Sequence, residues 1–273
     1  GCAAADASLR HTLAAFDDLD AIIDADPALA EYRYLLRNIR RDSKYLLSDK
    51  EEELFARMNI SGASAWESLR DNLTSSVKVE YNGGVTNLSA IRNLAYDPDP
   101  AVRKSAYEAE LACYDKIKDS VAFALNSIKL QVINECQVRG YASPLDKALY
   151  QSRMKRETLD ALLGAMDEYL PKFWQYLRAK GKALGHENGL PWYELFAPMG
   201  KSDKKYTTQD AKDYLLSIFS GFDSQLHDMV ERAFDEAWID FYPRNGKVGG
   251  AFDCGVPSAG QSRVLTNFDG AFG

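Results

Sequence analysis

Asp97-Pro98-Asp99-Pro100, followed by Ala101-Val102-Arg103-Lys104-Ser105-Ala106, is the stretch from which the chain is best read. Asp99 carries a short acceptor side chain suited to the open amides of a first helical turn, and Pro100 has its φ already set for the first helical position. Apolar residues at Val102, Ala106, Leu111, Val121, Leu125, Ile128 and Val132 then recur at helical spacing as far as Gly140, the longest such pattern in the chain. This turn is also the clearest boundary, predicting a helical module over 1–98 and a second domain over 99–273.

Towards the N-terminus the punctuation stays helical. Leu9, Leu13, Phe16 and Ile23 share one face, and Asp26-Pro27 predicts a new helix carrying Leu29, Tyr32, Leu36 and Ile39. Ser48 with Glu51, and Ser64 with Glu67, have capping-box spacing ahead of the stripes Leu54 and Met58, then Trp66, Leu69 and Leu73. Val77, Val79 and Tyr81 alternate with polar residues before Asn82-Gly83-Gly84, which predicts a small hairpin over 75–88.

Towards the C-terminus, Ser143-Pro144 opens a short helix. A longer one carries Leu159, Leu163, Met166, Leu170, Phe173 and Leu177 to Gly185, with Pro171 expected to kink or restart it. The stripes between 102 and 185 read as core. Pro191 and Pro198 confine Trp192, Tyr193, Leu195 and Phe196 to an apolar loop, read as packing in preference to a ligand platform. Helices from Thr208 and after Asp223 follow, and beyond Asp240 seven glycines between Gly246 and Gly273 favour strands and turns. The fold class is therefore mostly α, a multi-helix scaffold with a small β element near the C-terminus.

The chain has 273 residues, 33 Lys+Arg against 40 Asp+Glu and a net charge of -7. An acidic balance without a dense basic run excludes a duplex nucleic-acid partner, which needs a basic stripe to displace counterions. No run of about 18 apolar residues is present, so no membrane partner is expected. Cys2, Cys113, Cys136 and Cys254 contain no Cys-x-x-Cys and read as free thiols of a reducing, cytoplasmic setting.

His11, His186 and His227 are the only histidines, and no two stand one helical turn apart. There is no His-Glu-x-x-His helix, phosphate-binding Gly-x-x-x-x-Gly-Lys loop, Gly-x-Ser-x-Gly elbow or dinucleotide fingerprint. His227, Glu231 and Asp235 lie at i, i+4 and i+8, a spacing that offers a metal three ligands, although a solvated helix face is the plainer reading. His186 and His11 read as capping or solvent-facing.

Leu190-Pro191-Trp192-Tyr193-Glu194-Leu195-Phe196-Ala197-Pro198, then Trp238-Ile239-Asp240-Phe241-Tyr242-Pro243, then Gly246-Lys247-Val248-Gly249-Gly250-Ala251-Phe252 occur in an order that resembles the oligoendopeptidase F family of zinc metallopeptidases, relatives of thimet oligopeptidase. Val264-Leu265-Thr266-Asn267-Phe268 fits the strand that follows. Tyr34 to Glu53 looks like the start of that family's helical N-terminal module, and Asp99 to Tyr107 like the junction into its peptidase domain.

The resemblance implies hydrolysis of short peptides in an enclosed channel. It also implies a zinc helix beyond Gly273, so the chain is expected to be a fragment that holds none of the catalytic or metal-binding residues, binds no zinc and turns over no peptide. The functional piece it retains would be Gly249, Gly250, Ala251 and Phe252, matching the family's edge strand beside which substrate lies extended, because small residues let a peptide backbone approach. A merely structural glycine-rich connection is the other reading of this segment. Lys247 and Arg244 are candidates for a substrate carboxylate, with surface solvation the alternative. Expected partners are short peptides and the missing C-terminal half, supplied by the same or a second chain; the competing reading is a non-catalytic helical peptide- or protein-binding module on a peptidase scaffold.

Overall fold

The computed structural model describes residues 3–200 and 204–270. Thirteen α-helices and five short strands are present among them. In order they are α1 (Ala3–Ala14), α2 (Leu19–Ala25), α3 (Pro27–Ala30), α4 (Arg33–Asp42), α5 (Asp49–Ser61), α6 (Ala63–Ser76), β1 (Lys78–Tyr81), β2 (Gly84–Asn87) and α7 (Leu88–Asn93). Then come α8 (Pro100–Tyr114), α9 (Lys118–Arg139), α10 (Pro144–Gln151), α11 (Arg156–Ala183), α12 (Thr208–Ser220), α13 (Ser224–Asp235), β3 (Ile239–Asp240), β4 (Phe252–Val256) and β5 (Gln261–Leu265). The expected mostly helical class with a small C-terminal sheet is the class observed. The chain divides into two compact units, 1–69 with 122–167, and 70–121 with 168–273.

In the first unit, Leu13, Leu19 and Ile23 are buried together, with Leu29, Leu36 and Ile39 packed against them. Asp26 caps α3 with Pro27 at its first position, but this helix ends at Ala30 and α4 restarts after Tyr32, whose φ of -90° and ψ of 1° leave the helical basin. The Ser48–Glu51 capping box is formed. The Ser64–Glu67 box is not: α6 starts two residues earlier than that box requires, at Ala63, whose N–H donates to Gln131 Oε1 at 2.7 Å, and Gly62 O accepts from Ala65 and Trp66. Ser64 Oγ instead accepts from Asn59 Nδ2 at 3.0 Å.

In the second unit, the hairpin β1–β2, α7 and α8 close around Val77, Val79, Leu88, Ile91, Ala106, Cys113 and Ile117. Asn82 and Gly83 form its two-residue turn with φ of 50° and 76°, the left-handed pair that matches the twist of a hairpin. The pattern expected from Val102 to Gly140 is two helices, α8 and α9, separated by a turn at Asp115–Ile117, and α11 is the longest helix. Pro171 lies inside α11 without ending it. The expectation that the stripes from 102 to 185 form core is corrected: Ala106, Cys113, Ala124 and Cys136 are buried, whereas Leu111, Leu125, Leu163, Met166, Leu170 and Phe173 are exposed. Spacing identifies an apolar face but not whether anything lies against it.

Candidate functional site

The C-terminal sheet has the order β3-β5-β4, with β3 parallel and β4 antiparallel to β5. Among the described residues β4 is therefore an edge strand, paired through Phe252↔Leu265 to Val256↔Gln261 on one side only, and Phe252 to Gly255 are exposed. Alternate residues of such a strand direct their N–H and C=O groups away from the ladder, where another extended chain can meet them. Of the four predicted binding residues, Phe252 opens β4, while Gly249, Gly250 and Ala251 form the bend that leads into it. Gly250 has a φ of 85°, so the bend itself uses its lack of a Cβ.

That bend is held from behind. Lys247 Nζ donates to Asp240 O at 3.0 Å, Asp240 Oδ1 at 3.0 Å and Tyr242 O at 2.8 Å, and its side chain is only 1% exposed. Asn267 Nδ2 donates to Val248 O at 3.1 Å and Gly250 O at 2.8 Å. Arg244 Nη1 and Lys247 Nζ together hold the Asp240 carboxyl down at about 2. Neither expected role of Lys247 survives: an ammonium buried among three acceptors reads no substrate carboxylate and faces no solvent. Arg244 is exposed and engaged with Asp240 at 2.7 Å.

A buried ion pair fixes the aromatic loop. Arg103, on the same face of α8 as Ala106 and Cys113, donates from Nε to Glu194 Oε2 at 2.9 Å and also from Nη2. Arg103 is 3% and Glu194 2% exposed. The remaining guanidinium nitrogen donates to Asp97 O at 2.6 Å and Pro98 O at 3.0 Å, tying the Asp-Pro-Asp-Pro turn to the loop. Lys180 Nζ donates to Leu195 O at 2.8 Å, and burial, with the Arg103 charge, pushes its pKa down. His186 is not a free cap: Nε2 lies 3.4 Å from Glu194 Oε1 and its ring meets Tyr193 edge-on. The packing reading of the loop holds only in part: Tyr193 and Leu195 are half-buried, whereas Trp192 and Phe196 are exposed at the mouth of a cavity of about 340 Å³ that also takes in Tyr96, Tyr107 and Glu110. Sequence reasoning missed this pair; the available signal was an arginine set in the buried stripe of α8, three residues before Ala106.

The first unit has its own cleft, about 350 Å³, lined by Tyr45, Glu52, Arg139, Tyr141 and Tyr150 among others. Arg139 grips Glu52 through both oxygens at 2.6 and 2.9 Å and reaches Glu135 at 3.0 Å. Burial pushes Glu52 up, but Arg139 and the Leu47 amide hold it below the usual carboxylate range. Its charges are thus spent on one another.

Cys113 and Cys136 are buried free thiols and Cys254 an exposed one; Cys2 lies outside the described residues. Among the described residues, the one group of three metal-ligating side chains is His227, Asp228 and Glu231 on α13, with ligand atoms within 4.8 Å. Asp235 is not in it and pairs with Lys212. Two exposed carboxylates and a single imidazole on one turn do not fit a catalytic zinc ion with two histidines from one helix face.

Residues 14–78 match the oligopeptidase F family and residues 93–271 match peptidase family M3. A mostly helical scaffold ending in a small sheet with an open edge, covered over most of its length by these matches, places the chain among the M3 peptidases: it belongs to that family, on the oligopeptidase F side. Oligopeptidase PepF of Bacillus subtilis is 26% identical over 248 residues, covering 88% of this chain and 37% of that protein. Group B oligopeptidase PepB of Streptococcus agalactiae is 26% identical over 235 residues, covering 84% and 39%. Among solved structures, PZ peptidase A with a bound inhibitor superposes with a TM-score of 0.77 at 13% identity, over 97% of this chain and 46% of that one. A Bacillus anthracis protein described as an oligoendopeptidase F gives 0.75 at 14%, over 97% and 47%. These structures share the fold, and the chain spans less than half the length of the relatives it matches.

Proposed function

We propose that this chain supplies the substrate-lining wall of an M3-type oligopeptidase, whose parent family uses zinc, and that an extended short peptide is received along the open edge of β4. The observation that carries the reading is the exposed edge from Phe252 to Gly255, backed by β5 and entered through a bend that Lys247 and Asn267 hold in place. Backbone pairing at a strand edge gives affinity with little dependence on side chains, which suits an enzyme that meets many short peptides. Gly249 and Gly250 add no side chain that would block approach at the start of the strand.

In this reading hydrolysis belongs to the whole peptidase, residues 1–98 form its N-terminal module and 99–273 the first part of the peptidase domain. Taken by itself, the chain binds peptide and does not cleave it, because its three histidines offer no zinc pair. No described helix is long and apolar enough to cross a membrane, and free thiols at Cys113, Cys136 and Cys254 suit a cytoplasmic setting. The test is amide NMR of the 273-residue chain titrated with an unstructured hexapeptide. Alternate amides of β4 should shift and gain exchange protection, and a titration to millimolar peptide that moves no β4 amide would sink the proposal.

A further inference from the structure

Arg103, Ala106, Tyr107 and Glu110 stand at i, i+3, i+4 and i+7 on α8, so one face of that helix lines the 340 Å³ cavity of the second unit. Tyr96 ends the turn after α7, and Trp192, Tyr193 and Phe196 belong to the loop that Arg103–Glu194 and Lys180 hold in place. Four of the rings form two tilted pairs, Tyr96 with Phe196 at 5.1 Å between centroids and Tyr107 with Tyr193 at 6.0 Å. The cavity wall is thus aromatic and fixed from behind.

The charges at this cavity are spent unequally. Arg103 has Nε and Nη2 on Glu194 and Nη1 on Asp97 O and Pro98 O, so its charge is answered in full. Arg92 donates from Nε to Glu110 Oε1 at 2.8 Å and from Nη2 to the Tyr114 hydroxyl, which itself donates to the same Oε1. Both bonds to this carboxylate end on one oxygen. Glu110 Oε2 accepts from no group among the described residues, although the side chain is only 22% exposed. A carboxylate oxygen with open lone pairs, set among rings whose faces are negative, is complementary to a cation that carries N–H donors. An anion would meet the same oxygen as repulsion.

We propose that this cavity binds a small organic cation, an alkylammonium group whose N–H donates to Glu110 Oε2 while its methylenes pack against Tyr96, Tyr107, Trp192 and Phe196. A free amine and a lysine side chain share this chemistry. The proposal stands on the second unit alone and not on peptide binding at β4, so either can fail without the other.

The experiment titrates the 273-residue chain at neutral pH with butylammonium, 1-butanol and butanoate, which share a four-carbon chain and differ in charge. Binding is read by NMR at the Trp192 indole N–H and the Tyr107 amide. Butylammonium should bind at least about 10-fold more tightly than butanol, and butanoate should not bind. Glu110→Gln keeps an oxygen for Arg92 and Tyr114 and should abolish the preference for the cation. Trp192→Leu changes a side chain 70% exposed, which folding does not need, and should weaken the cation at least about 3-fold at the Tyr107 amide; it decides alone if Glu110→Gln fails to fold. Equal binding of butanol and butylammonium overturns the proposal, because the cavity is then merely apolar. Tightest binding by butanoate also overturns it, because Arg92 then governs, as does a titration to high millimolar butylammonium that moves neither signal. An acetylated, amidated tripeptide with a central lysine separates the two sources: binding equal to that of butylammonium makes lysine side chains ligands, and none confines the site to free amines.

Discussion

Replacing Glu194 with Ala tests whether the Arg103–Glu194 pair holds the second unit together. The change leaves a guanidinium at 3% exposure without its counter-ion. Two donors, Nε and Nη2, lose their acceptor, and only Nη1 keeps Asp97 O and Pro98 O. Each orphaned donor costs about 1–3 kcal/mol, and breaking one side of a buried pair costs about 3–5 kcal/mol, so the two routes agree on about 4 kcal/mol. The Lys180 ammonium close by, already depressed by burial and by Arg103, loses the one charge that favours it. A surface pair offers the contrast: Arg57→Ala, opposite a half-exposed Glu53, should change stability by less than about 1 kcal/mol. With two units in one chain the readout must be local, so native-state hydrogen exchange of the α8 and hairpin amides is the assay. A loss below about 1 kcal/mol in those amides would refute the argument. So would simple additivity in the cycle with Arg103→Met, since a true pair makes the double variant at least about 2 kcal/mol less damaged than the sum of the singles.

The Asp240 carboxyl, held at about 2 against an ordinary 3.8, contributes stability that is complete above about pH 4 and lost as pH falls through about 2. Exchange of the β3 and β5 amides should therefore accelerate between pH 4 and 2 in the native chain and not in Asp240→Asn; equal acceleration in both would dismiss the role of this carboxyl. Ser48→Ala, which removes the side chain of the capping box on α5, should destabilise the first unit by about 1 kcal/mol in urea unfolding, with no effect on hairpin amides. Gly83→Ala places a Cβ at φ 76° and should cost the hairpin about 1 kcal/mol, read by exchange at Val79 and Val85, a loss that vanishes if the turn relaxes to another type. The 273-residue chain should take up no tight stoichiometric zinc and cleave no hexapeptide; chelator-sensitive cleavage by pure chain would contradict this.

What could be read from the residues follows from the range of the forces involved. Caps and turns act over three or four residues, so Asp26, Ser48, Asp99, Ser143 and Asn82-Gly83 fall where their chemistry predicts. The failures are contacts that span the chain. Gln131 supplies the acceptor that starts α6 at Ala63, overriding Ser64 from 68 residues away. Glu194 lies 91 residues from Arg103, and Lys247 is buried by a fold of the chain that its glycine-rich surroundings do not announce. The candidate binding segment was legible as a family motif, but the position of the open edge, beginning at Phe252, needed the strand order.

The apolar stripe of α11 marks where periodicity stops being informative. Leu163, Met166, Leu170 and Phe173 have the same spacing as a core helix, and the energy that selects such spacing depends only on the face being dry in the functional state. Periodicity records that requirement without recording which polypeptide meets it. In this chain the face of α11 is wet, while Leu13, Leu19 and Ile23, equally periodic, are buried by neighbours within the same unit. The spacing along α11 is thus that of a core helix and its exposure that of a surface one, and only the folded structure separates Leu170 and Phe173 from Leu13 and Ile23, because periodicity carries no record of the neighbour that would cover a face.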